Sequence, residues 1–504
     1  MINMLTKNDR EKEFKRMVPH IADVDPQIVQ AEKRLAQTSP FRQHFHIEPA
    51  SGTLGDPNGF SFFAGQYHLF YQWSPLAFHQ PALWQHGWYH LASPDLVHWQ
   101  DLGPGMESDT SYDCHGTYSG SALPVGDRLF LMYTGNTWNR NWVRVPYQIG
   151  AWMNANNQVK KNALPYLTGS PAGYTPHFRD PKLWHHGHHY YALLGAQREN
   201  LTGTALLYQS TDLTAWRLLG EVQTDTPDFG FMWECPDYFE VDGHGVLLFC
   251  PQGLSADGNF FNNVYQNGCF VGEPLNYATR GFHHGAFQEL DAGFDFYATQ
   301  TMQAPDGRRI LSGWMGISEI HYPTEQYHYS GCLVIPRELS VHHNQLVQQP
   351  IRELTSLRRE RQTVNQIGPG TVALPYTGQV SQEFDLTVSL AATQTVTLDF
   401  RADVLNQHHT RLTLDRGRQL CTLDRSQAGL SFAEQWGTVR QRRTPLGERV
   451  RVHVFVDTSS IEIFIGDGAT VFTSRIFPAA NQTQTFVTSS DGQAQVIGSI
   501  WNLA

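Results

Sequence analysis

The chain has 504 residues, too many for a single hydrophobic core, so two or more domains are expected. Its formal net charge of −11 comes from well-mixed acidic and basic residues without a basic stripe, which excludes a nucleic-acid or anionic-membrane surface and leaves a small molecule as the partner. Charged residues reach only 16% while aromatic residues reach 12%, a bias that suits packed β-sheets and also flat rings stacked on sugars.

The first residues, Met-Ile-Asn-Met-Leu-Thr-Lys-Asn-Asp-Arg-Glu-Lys, lack an apolar stretch and a small-residue cleavage site, and no later run is apolar for membrane-spanning length. The expected compartment is the cytoplasm. Residues 1–44 read as an N-terminal extension with one helix, because Ile28, Val29, Ala31, Leu35 and Ala36 recur at helical spacing among charged residues.

From about residue 45 the pattern turns to β and repeats. Apolar, aromatic-rich runs occur at 67–73 (YHLFYQW), 128–135 (RLFLMYTG), 189–197 (HYYALLGAQ), 245–253 (GVLLFCPQG) and 309–316 (RILSGWMG). Each follows a turn signal, Ala64-Gly65, Gly126-Asp127, His186-Gly187, Asp242-Gly243 or Asp306-Gly307, as in a hairpin. A second echo supports the repeat: residues 93–99 (SPDLVHW) and 210–216 (STDLTAW) share Ser, Asp, Leu and Trp at equal offsets. Repeat units opening near Asp56, Ser119, Asp180, Glu234 and Asp295 predict a five-bladed β-propeller over 45–340, in which the first strand of every blade lines the axis.

Residues 341–366 read as a charged, partly helical linker. Strict alternation follows, as in Val450–Asp457 and its hairpin partner Ile461–Ile465, with further strands at 372–375, 383–390 and 395–401. Residues 367–504 are therefore expected to form an antiparallel β-sandwich with a structural or interface role, making the whole chain all-β apart from the N-terminal helix.

Three carboxylates sit where blades begin: Asp56 in Gly-Asp-Pro-Asn-Gly, Asp180 in Phe-Arg-Asp-Pro-Lys and Glu234 in Trp-Glu-Cys-Pro-Asp. A propeller brings such residues together, and carboxylates gathered at one point perform glycosidic chemistry. Asp95, Asp212 and Asp237 read instead as turn or scaffold acids. The six cysteines form no C-x-x-C pair, and the 24 histidines show no ligand spacing, so neither a metal nor a cofactor is expected.

The motifs at 56–59 (DPNG), 118–122 (YSGSA), 178–181 (FRDP), 233–237 (WECPD) and 457–464 (DTSSIEIF) resemble, in this order, glycoside hydrolase family 32, the family of invertases, sucrose-6-phosphate hydrolases and fructan β-fructosidases. The resemblance runs from about His44 to the C-terminus. It implies a propeller followed by a sandwich, Asp56 as nucleophile, Glu234 as general acid and then base, and Asp180 with Arg179 holding the fructose. It also implies substrate contacts from Gln72, Tyr118 and Ser119; Trp88 and Trp314 are candidate sugar-stacking walls. Where the family has Asn before the nucleophile this chain has Gly55, so one contact to the sugar is missing.

The activity implied is that of a retaining β-fructofuranosidase acting on sucrose or sucrose 6-phosphate. The phosphorylated sugar is favoured by the absent export signal and by the resemblance of residues 113–116 (DCHG) and 291–297 (DAGFDFY) to intracellular members. His79, His86, His115, His283 and His284 are the candidates for a phosphate contact. The alternatives are an exo-acting fructosidase on short fructooligosaccharides and a sugar-binding propeller without catalysis. The chemistry expects Asp56 ionised and Glu234 protonated near neutral pH, the latter raised by burial and a neighbouring negative charge.

Overall fold

The computed structural model describes residues 20–79, 86–375, 378–391 and 394–503; residues 1–19 of the expected N-terminal extension lie outside them. The helix forms over Pro26–Gln37, opened by Asp25, whose carboxylate accepts from Gln27 N, and by proline in the first turn. Its Glu32 is buried and bonded to His79 and His328, which pins the helix to loops of the β domain.

The β region opens with five sheets of four or five strands. Their first strands are Gly52–Phe63, Thr117–Val125, Tyr174–His186, Met232–Val241 and Tyr297–Gln303. The apolar runs picked out in the sequence are the second strands, Gln66–Ser74, Arg128–Trp138, His189–Arg198, His244–Gln252 and Arg309–Trp314, buried on both faces between neighbouring sheets. The first strands pack in a closed circuit. Asn58 Oδ1 accepts from Gly120 N, Ser121 Oγ bridges to Pro181 O and Leu183 N, and Gln300 joins Phe60 N to Gly120 O. The ring is shut by Tyr329–Ser330, which pairs in parallel with Gly52 and Thr53. This is the propeller, and its first strands surround the axis.

Every one of these first strands carries a β-bulge at the same height. The register with the second strand slips by one residue between Leu54 and Pro57, Thr117 and Gly120, Arg179 and Lys182, Glu234 and Asp237, and Tyr297 and Gln300. A bulge leaves its residues out of the ladder and re-aims their side chains. It also explains prolines inside strands: Pro57, Pro181 and Pro236 stand in or beside bulges, where a missing N–H costs no ladder bond. Asp180, Cys235 and Ala298 take the left-handed backbone there, with φ of 64°, 48° and 49°.

Pairing in the fifth sheet continues through Arg337–His342 and Gln345–Pro350. The segment 341–350, expected in the linker, is thus the outer hairpin of that sheet, and the helical piece is the 3₁₀ turn Arg352–Leu357. The sandwich follows. Its last strand, Gln484–Leu503, pairs with Thr395–Ala402 at one end and Gln382–Ser389 at the other, joining both layers around a core that includes Phe384, Leu398, Leu412, Val452 and Ile463. Val456 pairs with Ile461 in the hairpin read from the sequence.

Sandwich and propeller meet through buried ions. His46 lies between Asp457 Oδ2 and Glu462 Oε1, each at 2.9 Å, and Arg337 donates to Glu462 at 2.5 Å and to Asp291 at 3.3 Å. Asp457 also accepts from the backbone N–H groups of His44, Phe45 and His46. Burial opposes the charge on His46, but the two carboxylates outweigh it and lift its pKa to about 9. Asp295 reaches across in the same way to Arg425 and the N–H of Arg475. Among the described residues no helix is long and apolar enough to cross a membrane.

Candidate active site

The bulges open into a cavity of about 490 Å³ at one end of the propeller axis. Asp56, Ser119, Arg179, Asp180 and Glu234 all line it, each from a bulge of its own sheet or the residue beside one. Corresponding positions in successive blades touch. Ser119 donates to Asp56 Oδ2 at 2.6 Å. Two positions earlier in the bulge register, Arg179 forks onto Glu234 Oε1 through Nη2 at 2.7 Å and Nε at 3.0 Å, while Tyr297 OH donates to Oε2 at 2.5 Å. Gln252 Nε2 adds a bond to the same oxygen at 2.8 Å. Asp180 Oδ2 accepts from Cys235 N at 3.0 Å, and its own N–H is bonded to Thr134 Oγ1.

Three acids in one cavity do not ionise alike. Burial pushes Asp56 up to about 7; Ser119 opposes this, and the fields of Asp180 and Glu234 add to it. Asp180 rises to about 6, again by burial, with Arg179 lowering it and Glu234 raising it. Glu234 moves the other way: burial would raise it, but Arg179 and the Tyr297 hydroxyl hold it below the usual carboxylate range. The sequence-based assignment of the proton is therefore reversed. Burial lifts Asp56, with the fields of Asp180 and Glu234 adding to it, whereas the Arg179 fork holds Glu234 down.

Gln72 lines the cavity; its Nε2 donates to Thr117 O, while among the described residues its buried Oε1 has no partner. Trp314 also lines it, and among the described residues its buried Nε1 is equally unpaired. An acceptor and a donor left orphaned on a cavity wall fit sugar hydroxyls, since each unmade bond costs on the order of 1–3 kcal/mol. Tyr118 is also on the wall, flanked by His86 and Arg144. Gly55 lines the cavity too; a Cβ there would meet Gln72 Cβ at 3.4 Å, so the backbone does not demand glycine.

Trp88 is not a sugar wall. It is fully buried, packs against Phe70 and Tyr133, and donates to Tyr118 O. The second blade covers it. Among the histidines proposed for a phosphate, only His86 lines the cavity, and burial lowers it to about 4, leaving it uncharged. His79 is spent on Glu32, His115 is bonded to Cys114 and Trp138 N, and His283 and His284 engage Asp225 away from the cavity. Asp95 and Asp212 tie their own turns through backbone N–H groups, and Asp237 pairs with Lys182 and Thr301 N. Gln252 and Tyr297 escaped the sequence reading. Gln252 closes its second strand as Gln72 nearly closes the first blade's, and that echo was the available signal.

The chain matches the family model described as the glycosyl hydrolases family 32 N-terminal domain over residues 46–350 and the corresponding C-terminal model over 353–502. It is 40% identical over 476 residues to the sucrose-6-phosphate hydrolase of Staphylococcus xylosus, covering 94% of each chain. To that of Bacillus subtilis it is 38% identical over 483 residues, covering 94% of this chain and 97% of the relative. The structure superposes on sucrose-6-phosphate hydrolase from Lactobacillus gasseri with a TM-score of 0.90 at 33% identity, covering 98% and 99% of the two chains. It also superposes on a variant β-fructofuranosidase of Bombyx mori in complex with sucrose, with a TM-score of 0.80 at 31% identity, covering 95% and 97%.

Proposed function

Because the chain belongs to family 32 of the glycosyl hydrolases, we propose that it is a retaining β-fructofuranosidase whose preferred substrate is sucrose 6-phosphate. The observation that carries this reading is the convergence of Asp56, Asp180 and Glu234, from three separate strands, on one cavity with unpaired hydrogen-bonding groups. The relatives bearing the sucrose-6-phosphate hydrolase name match nearly the full length, which supports the phosphorylated sugar. Such a sugar is met inside the cell, so the cytoplasm is the compartment implied.

In this reading an Asp56 oxygen attacks the anomeric carbon of the fructosyl unit as Glu234 protonates the bridging oxygen, and the glucosyl part leaves. Glu234 then takes a proton from water, which attacks the fructosyl ester and restores the original configuration. Asp180 and Arg179 hold ring hydroxyls and steady the positive charge of the transition state. The proton must change place on binding. Sugar hydroxyls that draw Arg179 off Glu234 raise that acid, and loss of the proton from Asp56 frees the nucleophile.

The test is kcat/KM for sucrose 6-phosphate, sucrose and the trisaccharide 1-kestose on the full chain. The phosphorylated disaccharide is expected to lead and kestose to trail; equal or reversed values for the first two sink the phosphate reading. A second expectation concerns Tyr297→Phe. Its hydroxyl favours ionised Glu234, so removal raises that acid and shifts the alkaline limb of the kcat profile, which reports the substrate-bound state, to higher pH. An unmoved limb would take the acid role from Glu234.

A further inference from the structure

A phosphorylated leaving group brings two negative charges to a cavity ringed by acids, so a cation must meet it. Most cations near the cavity are already committed. Arg179 is neutralised by Glu234, His177 is bonded to Arg179 and lowered to about 4, His86 is uncharged, and His321 is exposed and paired with Glu325. Among the described residues, Arg144 is the exception.

Arg144 opens the third strand of the second blade, paired with Trp138 across a hairpin whose tip is tied by Asn139 Oδ1 to the N–H groups of Asn141 and Val143. Its Nε donates to Asn136 Oδ1 at 2.7 Å, and Asn136 is itself fully buried and bonded to His115 O. The guanidinium lies 5.1 Å from the centre of the Tyr118 ring, which lines the cavity. The guanidinium is thus held at its Nε and over one face. Among the described residues no carboxylate pairs with it, and its two terminal nitrogens are left with no acceptor. A half-buried guanidinium with a preset fork and no counter-ion is what a planar or tetrahedral oxyanion fits.

We infer that Arg144, stacked on Tyr118 and anchored by Asn136, receives the phosphate of the leaving glucosyl unit and makes this enzyme prefer the phosphorylated disaccharide. This rests on the functional reading above. No bond is made or broken by Arg144; it contributes a charged, two-pronged contact to a group remote from the reacting carbon. Its effect therefore falls on KM more than on kcat.

The experiment uses the full chain as wild type, Arg144→Gln and Arg144→Lys. It measures kcat/KM on sucrose 6-phosphate and sucrose, with inhibition of sucrose cleavage by glucose 6-phosphate, glucose and inorganic phosphate. In Arg144→Gln the ratio of the two kcat/KM values is expected to fall at least tenfold, chiefly through KM, and inhibition by glucose 6-phosphate to weaken by a similar factor. Lysine, which keeps the charge but not the fork, should fall between. A parallel loss on both sugars would assign Arg144 to holding Tyr118 and overturn the inference, as would a preference that survives the change. Wild type without any preference would overturn the functional reading first. Should the glutamine variant fail to fold, the lysine variant carries the test, and an unchanged ratio there overturns the inference.

Discussion

Asp56→Asn is expected to lower kcat/KM on both sucrose and sucrose 6-phosphate by roughly 10⁴-fold or more, with the unfolding midpoint retained. The size follows from the role: without the attacking carboxylate the covalent route closes, and losses of this order accompany removal of a nucleophile elsewhere. Retention of the fold follows from the surroundings. The side chain is half-buried, its one short bond is the donation from Ser119 at 2.6 Å, and an amide oxygen accepts that bond equally well. Neutralising Asp56 also removes a like charge from Asp180 and Glu234, so stability should hold or rise. Steady-state kinetics beside urea unfolding decide it. Activity within tenfold of wild type would remove Asp56 from the role of nucleophile.

The largest effect on stability is expected far from the cavity, at Asp457→Ala. That carboxylate serves the N–H groups of His44, Phe45, His46 and Thr458, the Ser381 hydroxyl and the His46 ring. Truncation leaves these donors buried and unpaired, for which about 3–5 kcal/mol is the usual scale. The same cluster sets a pH dependence. His46 is lifted from its ordinary 6.5 to about 9 in the folded protein, so its contribution is complete below about pH 6.5 and is lost as pH rises through 9. Asp457 is depressed, and its share survives until strongly acid conditions. Urea midpoints at pH 6.5 and 9 should therefore fall apart in wild type and draw together in Asp457→Ala. A midpoint of the variant equal to wild type at pH 6.5 would refute the clamp.

Much of this was legible in the residues, and the exceptions have physical reasons. The second strands announce themselves because sheets packed on both faces need continuous apolar text, as in 67–73 and 245–253. The acids were legible because Asp56, Asp180 and Glu234 each sit where a repeat unit begins, and first strands line the axis of a propeller. Trp88 was misread because it stands opposite Gln72 in register, one strand further out, and the next blade covers it. Sequence shows the ring but not its depth. Residues 345–350 fall within the expected linker because an outermost strand, Gln-Leu-Val-Gln-Gln-Pro, is polar enough to pass for one. The proton order was hidden for a different reason. It is set by Arg179 reaching a carboxylate 55 residues away, a pairing that local pattern does not encode.

The shared kink of the five axial strands carries an implication for how such a catalyst diversifies. Each blade offers the same seats at the same height, and only their occupants differ: Asp56 and Ser119 hold one seat, Asp180 and Cys235 another, Arg179, Glu234 and Tyr297 a third. The scaffold is thus indifferent to which tenant reacts. New specificities are open to it by exchange of single tenants, such as Ala298 or Thr299 on the fifth strand, with every strand left in place.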